Sequence, residues 1–188
     1  YSRYDAPPPD QLLVQQNFHH KVYFHRLGTD QSEDALIFRQ PDHKERNQRA
    51  QATHDGQWLL IFAKRGTDPV NRVYIKSLVS ADCPIVPLIE EGDAFYSFID
   101  SIGSTLYFET NQNAPRGRVI AVDALNPVRE QWKEIIPQSA DKLNGVSLVG
   151  GKFIASYLQD ARAAVRLFDL SGNSAGTVDL PGIGSVSG

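Results

Sequence analysis

The segment Gly172-Asn173-Ser174-Ala175-Gly176 fits the G-x-S-x-G expression of a nucleophile elbow, the sharp turn that exposes a catalytic serine in α/β-hydrolases. An elbow needs a strand running into a helix, whose N-terminal amides help to meet the oxyanion. Here Leu167-Phe168-Asp169-Leu170 leads in and Thr177-Val178-Asp179-Leu180 leads out, so strand runs into strand and a helix has no room to start. The triad of that fold also runs Ser, Asp, His along the chain, whereas the last histidine, His54, lies far upstream of Ser174. The segment therefore reads as a hairpin turn of small residues, and no catalytic residue is assigned to this chain.

The remaining reactive side chains are scattered. His19 and His20 are consecutive and would point to opposite sides of a strand, while His25, His43 and His54 have no fixed spacing to one another, so no metal site is expected. Glu90-Glu91-Gly92-Asp93 lacks the alternating ligand spacing of a calcium loop and reads as a solvated turn. Arg116-Gly117-Arg118 and the pair Arg46 and Arg49 are small basic groups assigned to loops. With 19 basic against 22 acidic residues the net charge is −3, which gives nucleic acid or an anionic membrane surface no electrostatic hold. The single cysteine, Cys83, excludes an intramolecular disulfide and reads as a loop or strand-edge residue.

What must position these groups is a β-structure. Hydrophobic residues make up 41% of the 188-residue chain, enough for a core, yet charge interrupts every apolar run well before a membrane span. Residues 1–17, with Pro7-Pro8-Pro9, read as an extended connector, and the polar residues 41–51 as a loop that separates structural units. Between the breaks lie short β-branched and aromatic runs. One of them repeats: Lys21-Val22-Tyr23-Phe24, Arg72-Val73-Tyr74-Ile75, Arg118-Val119-Ile120-Ala121 and Arg166-Leu167-Phe168-Asp169 begin 51, 46 and 48 residues apart, the first copy being the loosest. The strands before the last three copies follow Gly56, Gly103 and Gly151, which are 47 and 48 apart. Two anchors sharing one period, with four short strands per unit and no helical periodicity, predict an all-β chain that is part of a β-propeller. Its four blade-equivalents of four antiparallel strands, the first of them complete or not, fall at about 1–40, 50–90, 94–137 and 143–181; four blades could close an unusually small ring, but an arc of a larger one is expected, as one partial domain over 1–188. A β-sandwich has equally short strands but leaves the shared period unexplained.

An arc of blades implies faces that further blades should cover, so self-association is expected if the arc stands alone. The chain begins at Tyr1 without a basic, apolar leader and contains no methionine, as expected of a piece of something longer. A soluble parent is expected, with its compartment left open between cytoplasm and periplasm.

Several stretches, in order along the chain, resemble the propeller domain of the prolyl oligopeptidase (prolyl endopeptidase) family. They are Leu27-Gly28-Thr29-Asp30-Gln31-Ser32-Glu33-Asp34, Gly66 with Asp68-Pro69-Val70-Asn71-Arg72, Thr110-Asn111 with Ala114-Pro115-Arg116, Trp132-Lys133-Glu134-Ile135-Ile136-Pro137, and Tyr157-Leu158 with Asp160. The resemblance implies a seven-bladed ring joined to an α/β-hydrolase domain of the same parent chain, acting as a serine endopeptidase on short peptides, after proline, and needing no cofactor. The propeller would gate access, and the family's catalytic Gly-Gly-Ser-Asn-Gly-Gly stretch is absent from this chain, which alone should be inactive. The family also places an arginine and a cysteine of the propeller in the substrate cavity, just before the Asp-Pro-Val-Asn-Arg motif, together with a methionine. By that motif the arginine position falls on Lys64 and the cysteine position on Thr67, and the methionine position falls near Asn47. Lys64 would keep the charge without the planar fork of arginine, and Thr67 and Asn47 would make the wall more polar. A non-catalytic propeller that serves as a protein-interaction scaffold is the competing function.

Overall fold

A computed structural model describes residues 1–11, 13–14 and 16–186. The connector expected over 1–17 therefore lies outside the described residues at Leu12 and Gln15, as does the end of the 1–188 domain at Ser187 and Gly188. The chain divides into two compact units at Gly92 and Asp93.

The first unit holds a three-stranded sheet of β1 (Ser2–Arg3), β2 (Lys21–Phe24) and β3 (Ala35–Phe38), in that order. A four-stranded sheet follows, β4 (Arg46–Ala52), β5 (Trp58–Arg65), β6 (Arg72–Ser77) and β7 (Ile85–Ile89), with each strand hydrogen-bonded to the next in sequence. The second unit repeats this order twice. Its sheets are β8 (Tyr96–Ile102), β9 (Thr105–Thr110), β10 (Arg118–Asp123), β11 (Lys133–Ile136), and β12 (Lys142–Val149), β13 (Lys152–Gln159), β14 (Arg162–Phe168), β15 (Ser174–Val178). All pairs are antiparallel.

The sequence repeat maps onto this order. Arg72, Arg118 and Arg166 lie on β6, β10 and β14, the third strand of each four-stranded sheet. Gly56, Gly103 and Gly151 occupy the turn before the second strand at φ of +69°, +59° and +74°, backbone that glycine adopts without strain. Lys21 opens β2, the strand next to last in its sheet, as Arg72 opens β6 and Arg118 opens β10.

The polar stretch at 41–51 is not a loop throughout, because Arg46–Ala52 is a strand. Every residue of β4 pairs with β5, from Arg46 opposite Arg65 to Ala52 opposite Leu59. An edge strand in continuous register can satisfy its backbone through the ladder while its side chains stay polar, so hydrophobic patterning gives no sign of it. Arg46 and Arg49, expected in loops, therefore lie on a strand, and so does Arg118 at the start of β10. Within the connector, Ser2–Arg3 is also a strand, paired with β2.

Each unit is held by sheets packed face on face. In the first, Val22 of β2 is buried against Ile61 and Ala63 of β5 and Tyr74 of β6. In the second, Tyr107, Val119, Ala121 and Ile136 pack against Leu143, Phe153, Ala155 and Tyr157. Central strands such as β10, with Val119 to Val122 all buried, are covered on both sides and read as unbroken apolar runs.

Glu109 sits on β9 beside this core, and burial pushes its carboxyl above the usual range, with the Lys142 charge pulling the other way. A raised folded-state pKa means that the carboxylate weakens the fold at pH above that pKa, and less and less as pH falls toward the ordinary Glu value of about 4.3. Glu109→Gln should accordingly raise the thermal midpoint at pH 7.5 and leave it unchanged at pH 4. A midpoint lowered equally at both pH values would show that the carboxylate is not strained.

Candidate functional site

Two of the three residues expected to line a substrate cavity are brought together. Asn47 on β4 is the direct cross-strand partner of Lys64 on β5. Directly opposed residues of an antiparallel pair project from the same face with Cβ atoms about 5 Å apart. Alternation puts that face opposite to the one from which Ile61 and Ala63 press on the first sheet. Thr67 follows in the turn between β5 and β6, where Gly66 takes φ +48° and the Asp68 N–H donates to the Arg65 carbonyl at 2.9 Å. Asn47 and Thr67 are exposed and Lys64 is half-buried. The sequence could not pair Asn47 with Lys64, because the strand that carries Asn47 looks like a loop.

Asp68 and Pro69 stay exposed, and the turn goes inward only at its end. Asn71 is buried, and the Arg72 guanidinium lies across the backbone of Gly92, where an added Cβ would meet its central carbon at 2.4 Å. Arg72 thus closes over the end of its own blade. Arg46 faces Arg65 on the neighbouring rung, and partial burial pulls its pKa down, with the Arg72 charge acting in the same direction.

Beside Asn47 lies a small aromatic assembly that sequence reasoning missed. The Tyr4 hydroxyl donates to Asn47 Oδ1 at 2.5 Å, and the Tyr4 ring packs on His20 with centroids 4.4 Å apart. His20 Nδ1 accepts the Gln48 backbone N–H at 2.8 Å, which leaves the ring proton on Nε2. Burial holds the pKa of His20 below its ordinary value.

Other candidates take structural positions. Ser174 is the first residue of β15, and the turn before it is tied by Asp169, whose carboxylate accepts the N–H groups of Ser171 and Asn173. His25 Nδ1 lies 2.7 Å from Asp34 Oδ1. Asp93, expected to be solvated, accepts from Arg129 at 2.7 Å and from the Tyr96 hydroxyl at 3.0 Å, and the Arg129 bond holds its carboxyl below the usual range. Cys83 is half-buried, and its carbonyl accepts from Lys76. Among the described residues no group of three His, Cys, Asp or Glu could hold a metal ion, and no helix is long and apolar enough to cross a membrane.

The family profile described as "Prolyl oligopeptidase, N-terminal beta-propeller domain" matches residues 1–188. The chain belongs to the prolyl oligopeptidase family. The prolyl endopeptidase of Elizabethkingia meningoseptica is 36% identical over the whole chain, and prolyl oligopeptidase A of Galerina marginata is 31% identical over 89% of it. The chain spans about a quarter of these relatives, 26% and 23% of their lengths. Among solved structures, a chain from a structural and mechanistic study of two prolyl endopeptidases superposes with a TM-score of 0.87 at 36% identity, over 100% of this chain and 26% of that one. Prolyl oligopeptidase B of Galerina marginata, bound to a 35-residue hydrolysis and macrocyclization substrate, superposes at 0.89 over 98% of this chain and 26% of that one, and at 24% identity it supports the fold alone. The sheets described above are thus blades of a prolyl oligopeptidase propeller, and in its relatives that propeller is one part of a longer peptidase.

Proposed function

We propose that this chain is propeller wall in a serine endopeptidase that cleaves short peptides after proline, and that it gates access and lines the substrate cavity with Asn47, Lys64 and Thr67. The nucleophile belongs to an α/β-hydrolase domain of the same parent chain. The observation that carries the reading is the pairing of Asn47 with Lys64: positions assigned from separate stretches of sequence meet on one rung of the β4–β5 ladder and on one face. The polar wall they form can hydrogen-bond a bound peptide without taking part in bond cleavage.

The test is kinetic, on the full-length protein, with short fluorogenic peptides that carry proline before the scissile bond. Lys64→Gln should raise KM about threefold to tenfold with kcat little changed, the pattern of a lost contact made equally in ground and transition states. Ser174→Ala should leave both constants unchanged. Failure of the full-length protein to cleave after proline would overturn the assignment, and cleavage by this chain alone would overturn the placement of the chemistry elsewhere.

A further inference from the structure

We propose that a cavity where β2 begins and β3 ends is a binding site for a single carboxylate group, free or at the end of a peptide. The antiparallel pairing of Val22 with Phe38 brings the residues before β2 beside those after β3. Between them lies a cavity of about 240 Å³, lined by Asp5, His19, His20, Lys21, Arg39 and Gln40. Drug-sized ligands fill roughly 300–1,000 Å³, so this volume suits an end group rather than a whole molecule. The site uses none of Asn47, Lys64 and Thr67, and it stands whether or not those residues line a substrate cavity.

The lining offers charge and donors that nothing in the chain takes up. Lys21 is bonded to Asp5 at 2.6 Å, so these two charges offset each other. Arg39 is exposed and has no hydrogen-bonded or ionic partner among the described residues. With both imidazoles uncharged, one positive charge remains. His20 adds a donor whose identity is fixed: a backbone N–H can only donate, so the Gln48 bond at 2.8 Å makes Nδ1 the acceptor and leaves the proton on Nε2. That Nε2–H has no hydrogen-bond partner among the described residues. Gln40 adds one group more. One end of its amide meets the Tyr74 hydroxyl at 2.7 Å, and the other end is buried without a partner, whichever way the amide is turned.

A planar guanidinium and an imidazole N–H match the two oxygens of a carboxylate, and the charge matches a monoanion. A phosphate dianion would leave one negative charge uncompensated beside Asp5. The spare end of the Gln40 amide is free for a polar group next to the carboxylate, such as the last peptide unit of a chain.

The test is isothermal titration of the full-length protein, in buffer free of phosphate, with acetate, acetyl-alanyl-alanine, the amide of that peptide, and inorganic phosphate. The wild type should bind a carboxylate and neither the amide nor phosphate. Acetyl-alanyl-alanine binding at least tenfold more tightly than acetate would identify a peptide end as the ligand, and equal affinities a free carboxylate. Arg39→Gln should weaken binding about tenfold or more, Asp5→Asn should strengthen it and admit phosphate, and Lys64→Gln should leave it unchanged. The proposal is overturned if neither acid binds, if phosphate or the amide binds the wild type as tightly as the acids, or if Arg39→Gln and Asp5→Asn both leave the affinity unchanged. Loss of binding in Lys64→Gln with Arg39→Gln unaffected would move the carboxylate to the other wall and also overturn it.

Discussion

Gly172→Ala should destabilise the β14–β15 hairpin by about 3 kcal/mol, the sum of backbone strain and a steric clash. Gly172 takes φ +83°, and a Cβ built on it would lie 1.7 Å from the Ile135 carbonyl oxygen of β11. The obstacle is backbone, so no side-chain rotation relieves it, and the hairpin must withdraw from the neighbouring blade. Withdrawal also disturbs the turn that Asp169 ties, in which the Gly172 N–H donates to the Asp169 carbonyl at 3.0 Å. Gly176 supplies the control. It sits four residues on at φ +117° with open space around it, so Gly176→Ala should cost only about 1 kcal/mol, from strain alone. Amide hydrogen exchange over β11, β14 and β15 in the full-length protein reads the difference. Equal protection in the two variants would show that the close approach to Ile135 does not carry weight. Weaker protection in Gly172→Ala than in Gly176→Ala, together with an unchanged Ser174→Ala variant, would make the G-x-S-x-G stretch a feature of packing, with its first glycine the critical residue.

Phe153→Ala should cost about 3–5 kcal/mol, the usual price of emptying an aromatic site in a rigid core. Phe153 is fully buried on β13, and its ring meets that of Tyr107 on β9 edge to face, with centroids 5.1 Å apart. Leu143, Ala155 and Tyr157 complete the cluster. The contact joins two sheets of one unit, so its loss should expose both. Hydrogen exchange should accelerate in β9 and β10 as well as in β12 and β13. Val149 is 60% exposed at the end of β12, and Val149→Ser should stay within about 0.5 kcal/mol of the wild type. Faster exchange confined to β13 would mean that each sheet holds without its neighbour.

Much of the fold is legible in the chain because its signals are local. Glycine at 56, 103 and 151 marks turns that need positive φ, and the strands that follow carry the buried apolar residues of each sheet, such as Leu60, Phe108 and Phe153. The candidate wall is legible only in part. Lys64 and Thr67 lie beside a recognisable motif, whereas Asn47 lies in a strand of Arg, Asn, Gln and Ala with no apolar alternation. Tyr4 and His20 give no signal, since their roles arise from contacts 43 and 28 residues along the chain.

The sequence by itself determined an all-β chain, the period of the repeat and, through the stretches that resemble it, the family. The strands and their turns follow from backbone preferences and alternating burial, which act over a few residues at a time. Only the tertiary structure decided that residues 46–52 are a strand, that Asn47 opposes Lys64, that the Tyr4 hydroxyl bonds to Asn47, and that Gly172 lies against Ile135. Each of these depends on which backbone lies alongside which, and a polar edge strand or a close backbone approach leaves no hydrophobic pattern behind.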